Sequence, residues 1–127
     1  MAAWSQVSQL ILNSKQHRSA EVSPSLVKVE IETAEGRTQI VFVGQVDDKV
    51  IFSSLVCKLD SVNLDSLFAT DALQNLPYGV SAVGEYLSIK HSQSLETIDV
   101  QEIAEPIVAL GFMADVFEKA ITGKDAL

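Results

Sequence analysis

Residues 27–59, VKVEIETAEGRTQIVFVGQVDDKVIFSSLVCKL, carry the pattern that decides the fold. Val27, Val29 and Ile31 alternate with Lys28, Glu30 and Glu32. A side-chain period of two belongs to a strand with one covered face and one wet face. Ala34-Glu35-Gly36 then turns the chain, with a glycine able to take positive φ. Residues 40–43 read as apolar on both faces, as a central strand does, and Asp47-Asp48-Lys49 makes the next turn. The run 50–59 is a third strand, apolar almost throughout. Connections this short join antiparallel neighbours, so the stretch predicts a three-stranded meander.

Helical periodicity flanks the meander. Trp4, Val7, Leu10 and Ile11 recur at three and four, which predicts a short amphipathic helix over residues 3–14. The polar stretch 15–23, closed by Pro24, reads as a link. After the meander, Asp60 or Asn63 can cap a second helix whose Leu64, Leu67 and Phe68 share a face. Pro77-Tyr78-Gly79 stops it. Residues 80–83 and 86–91 then flank Gly84-Glu85, the sequence of a type II′ hairpin.

The last element has the strongest signal. Ile103, Ile107, Leu110, Ala114, Phe117 and Ile121 repeat at four and three. Asp99 and Glu102 make a capping-box-like start, and Gly123 supplies a stop. Pro106 lies inside this run, so the helix either kinks there or begins later. The expectation is one α+β domain over residues 1–127, an antiparallel sheet with helices in the order α-β-β-β-α-β-β-α.

Composition narrows the function. Hydrophobic residues form 47% of the 127 and charged residues 20%, a globular balance. The formal net charge of -8 repels phosphate backbones and anionic membrane surfaces, so neither nucleic acid nor membrane is an expected partner. The amino terminus lacks the basic region and long apolar core of a signal peptide, and one cysteine, Cys57, cannot form an internal disulfide. These features point to the cytoplasm.

A search for chemistry finds none gathered. His17 and His91 stand alone, without a histidine or cysteine at metal-ligand spacing. Asp47-Asp48 lacks the spaced oxygens of a calcium loop. Cys57 sits in an apolar strand with nothing nearby to lower its pKa. No catalytic residue, metal or cofactor is expected.

The terminal helix instead suggests a binding role. At 100° per residue its heptad stripe defines a core face, while Val108, Phe112 and Val116 cluster about the opposite line. Glu102, Asp115, Glu118 and Lys119 fall at the edges. A helix apolar on two faces must bury both or expose a patch. Either helix 1 covers the back of the last helix, or that back receives a partner. Burying Phe112 and the two valines would contribute on the order of 5 kcal/mol before association costs.

Residues 79–121, GVSAVGEYLSIKHSQSLETIDVQEIAEPIVALGFMADVFEKAI, resemble the type III secretion chaperone-like fold, which includes the class I (Tir-type) chaperones and the bacterial YbjN-type proteins. A glycine-started hairpin leads into a Leu-x-Ile strand, a polar link and Ile-Asp-x-x-x-Ile opening the terminal helix. With the meander the likeness spans residues 4–121. The YjfI-type proteins have a comparable end. YbjN-type chains often carry an asparagine-bearing segment after the second helix, where this chain has Asp71-Ala72-Leu73-Gln74-Asn75.

The resemblance implies an acidic cytoplasmic homodimer offering apolar grooves to a protein client, with the second helix and following strand at the dimer contact. Two candidate interfaces result, Leu64, Leu67 and Phe68 on the second helix and Val108, Phe112 and Val116 on the last. A small-ligand protein or enzyme using a cleft between sheet and final helix is the alternative.

Overall fold

A computed structural model describes residues 3–34, 36–63, 65, 78–99 and 102–122, with the backbone alone at 61 and 120–122. Its elements are α1 (Trp4–Asn13), β1 (Arg18–Ser23), β2 (Leu26–Ala34), β3 (Arg37–Val46), β4 (Lys49–Lys58), a 3-10 turn (Leu59–Ser61), β5 (Gly79–Val83), β6 (Tyr86–Ser94) and α2 (Ala104–Thr122). The fold is α+β. Six antiparallel strands form one sheet in the order β1-β2-β3-β4-β6-β5.

Register explains which side chains enter the core. Val27 lies opposite Val43, which lies opposite Phe52, and the row ends at His91. Val29, Val41, Ser54 and Ile89 form the next row. All of these except His91 are buried, so one face of the sheet is covered. β4 carries a bulge between Leu55 and Cys57, which places Val56 and Cys57 both inside and breaks the strict alternation. Gly36 (φ 75°) and Gly84 (φ 59°) take the left-handed backbone their turns need. Asp47 (φ 55°) does the same in the β3–β4 hairpin, a conformation that a short polar side chain tolerates.

Three expectations need correction. The meander has four strands, because residues 18–23 of the supposed link pair with β2 as an edge strand. RSAEVS shows no alternation because an edge strand stays wet, and its charges discourage pairing with other chains. Strand β3 is not covered on both faces. Gln39, Val41 and Val43 are buried, while Ile40 on the opposite face is 37% exposed. Finally, α2 begins at Ala104 rather than at Asp99. Glu102 only closes a turn onto the Asp99 carbonyl. Pro106 therefore falls in the first helical turn, where its missing N–H has no intrahelical partner to lose. The second helix expected around Leu64, Leu67 and Phe68 lies outside the described residues.

Both helices join one core. Helix α1 packs on β1 and β2 through Val7 and Ile11. It is pinned by the Trp4 indole N–H, which donates to the Pro24 carbonyl at 2.8 Å, and by the Ser19 hydroxyl, which donates to the Ile11 carbonyl at 3.2 Å. Helix α2 lies over β4, β3, β2 and β6 and buries Ile107, Leu110, Ala114 and Phe117, with Ile103 buried just before its first residue. It comes close to β2 at Gly111, where a Cβ would sit 3.0 Å from Ile31 Cβ and Cγ1.

That approach sets a test. Gly111→Val should destabilise the chain by about 2 kcal/mol through overpacking against Ile31, measured as a lower urea midpoint at unchanged slope.

Candidate functional site

The outer side of α2 presents the strongest candidate surface. Phe112 is 43% exposed and Val116 62% exposed, with Val108 half-buried one turn earlier. Helix α1 lies beside α2 over β1 and β2, so the covering role offered to it in the sequence is not what the structure has. At a spacing of four, Ala104, Val108, Phe112 and Val116 follow one row along the helix. The row begins at an open cleft of about 480 Å³ between the end of α1 and the start of α2, to which Leu10, Ile11, Ile103 and Ile107 contribute. The strip and the cleft therefore adjoin.

The inner side of α2 carries a polar contact that the helical wheel misplaced. Asp115 and Glu118, expected at the edges, are 9% and 1% exposed. The Arg37 guanidinium, at the start of β3, pairs with the Asp115 carboxylate. Nearby in β3, buried Gln39 donates through Nε2 to Ser54 Oγ at 3.1 Å and to the Leu55 carbonyl at 2.7 Å. The Ser54 hydroxyl in turn donates to the Ile40 carbonyl at 2.8 Å. The Arg37–Asp115 pair ties the second half of α2 to the start of β3, while the Gln39 and Ser54 bonds join β3 to β4. An arginine opening a strand and an acid 78 residues later were the available signal, but only the fold brings them together.

His91, Cys57 and His17 occupy three separate places. His91 rests between the rings of Phe52 (centroids 5.9 Å apart) and Tyr78 (5.2 Å, edge to face), a packing role. Burial, and then the negative charge of Glu105, raise the Tyr78 phenol above its ordinary pKa. Cys57 is buried at the β4 bulge. His17 lies on the rim of the cleft. Among the described residues no three His, Cys, Asp or Glu side chains are grouped to hold a metal, and no helix is long and apolar enough to cross a membrane. Of the six candidate interface residues, Val108, Phe112 and Val116 share the outer row of α2. Leu64, Leu67 and Phe68 lie outside the described residues.

No family model matches the chain, and no curated protein matches it in sequence.

Removing Arg37 would strand a buried carboxylate. Arg37→Ala should cost about 2 kcal/mol in urea unfolding, below the usual figure for a broken buried pair because the guanidinium is partly in solvent. Arg37→Met combined with Asp115→Leu should recover most of that loss, since an apolar pair of similar size leaves no charge uncompensated.

Proposed function

We propose that this chain is a non-enzymatic, chaperone-like binding domain that acts in the cytoplasm as a homodimer and receives a protein client. The observation that carries the reading is the outer row of α2, where Phe112 and Val116 stay exposed although Ile107, Leu110, Ala114 and Phe117 on the opposite face are buried. Large apolar side chains in a contiguous row mark an association surface more often than a solvated one. The layout of a meander, a hairpin and a long terminal helix agrees with the chaperone-like resemblance.

Magnitudes limit how much the strip can do alone. A stable interface buries about 1,200–2,000 Å² in total. Three side chains on each partner fall short of that, so the contact must extend past the row. Charge favours a dry centre: the strip holds no ionisable side chain between Val108 and Phe112, and the acids at 115 and 118 face inward. A two-fold contact would thus bring no like charges together at its middle.

Sizing chromatography with light scattering should return twice the mass of the chain at micromolar concentration. Phe112→Asp should give a monomer whose own stability changes by less than about 1 kcal/mol, because the position is a surface one. A wild-type monomer would remove the self-association reading, and a Phe112→Asp dimer would remove the outer row of α2 as its interface. Capture from native cytoplasm followed by mass spectrometry then separates a client-holding domain from one that only pairs with itself.

A further inference from the structure

The cleft between α1 and α2 has a chemistry of its own. Its volume of about 480 Å³ falls inside the ~300–1,000 Å³ of clefts that bind small molecules. One side is an apolar wall and floor made by Ile11, Val29, Ile103 and Ile107, with Leu10 at the lip. The other is the polar loop that leaves α1, which brings Lys15 and His17 to the rim. The chain has 17 acids against 9 lysines and arginines, yet none of the described residues lining this cleft is an acid. Glu105, next to the lining residue Ala104, acts on the Tyr78 phenol instead. Ala104 is also the first residue of α2, where Glu105 in the same turn offsets the positive end of the helix dipole, so Lys15 supplies the positive charge of the lining.

An apolar wall facing a rim that carries Lys15 and no acid, in a protein otherwise rich in carboxylates, selects for a ligand of matching polarity. We propose that this cleft binds a medium-chain alkyl carboxylate. The chain would lie against Ile11, Val29 and Ile107, and the carboxylate would sit at Lys15 and His17. A cationic amphiphile finds no acid there to pair with, and a nucleotide would leave the apolar wall against water. A neutral alkyl alcohol gains the wall but not the rim. The proposal does not depend on self-association, because the ligand touches the inner and leading residues of α2 and not Phe112 or Val116.

The test titrates the isotope-labelled full chain with octanoate, decanoate and dodecanoate below their micelle-forming concentrations, following amide shifts by NMR. Shifts should concentrate at residues 10–17 and 103–107. Binding should tighten about fourfold per added methylene, the factor equivalent to ~0.8 kcal/mol, until the cleft is filled. Decylammonium should bind several-fold more weakly than decanoate. Lys15→Glu should erase that preference while keeping the dependence on chain length, and Ala104→Trp should block binding by filling the mouth. Phe112→Asp should bind decanoate as the wild type does. The proposal is overturned by an absence of shifts, by equal binding of decylammonium and decanoate, or by shifts centred on residues 108–116. Should Ala104→Trp fail to fold by circular dichroism, the Lys15→Glu and chain-length series still decide.

Discussion

The fold depends on one contact, the buried stripe of α2 laid on the covered face of the sheet. Ile103, Ile107, Leu110, Ala114 and Phe117 supply the helix side, and Val29, Ile31, Val41, Val43 and Phe52 are among the sheet residues in the same core. Neither surface could remain in water alone. A long helix with an apolar stripe of this kind has no stable isolated state, and a sheet with one dry face needs a cover. Gly111 lets the helix come down onto Ile31. The Arg37–Asp115 pair then fixes which way the second half of the helix faces.

That single constraint also produces the exposed row. Once the stripe is committed to the sheet, Phe112 and Val116 point away from it, and α1 is already occupied on β1 and β2. Apolar side chains are left outside because the sequence placed them opposite a stripe that had to be buried. The same geometry opens the cleft. Helix α1 rests on one edge of the sheet and α2 over its centre, so the space between their ends is floored by Val29 and walled by both helices.

Much of this was legible beforehand where periodicity was local. Val27, Val29 and Ile31 show the covered face of β2 by alternation alone, and the stripe of α2 reads directly from spacings of three and four. The outer row at 108, 112 and 116 follows from the same wheel. What could not be read was set by partners far along the chain. Residues 18–23 become a strand because β2 offers a free edge, not because RSAEVS has a strand pattern. The Val56–Cys57 pair breaks alternation through a bulge that only the register with β6 defines. Asp115 and Glu118 look like solvent-facing edges, yet the fold buries both and brings Arg37 to Asp115. The cleft draws on α1, the loop after it, β2 and α2, so no one stretch of sequence announces it.

The central claim is that the outer row of α2 is a surface meant to be covered by another polypeptide, with a second copy of this chain as the first candidate. A dilution series of the wild-type chain, methyl- and ring-labelled for NMR, tests it most directly. The account predicts that Val108, Phe112 and Val116 resonances move with concentration while those of Val41, Val43 and Phe52 stay fixed. Resonances of the outer row that hold still across the whole series, in a chain of monomeric mass, would contradict it.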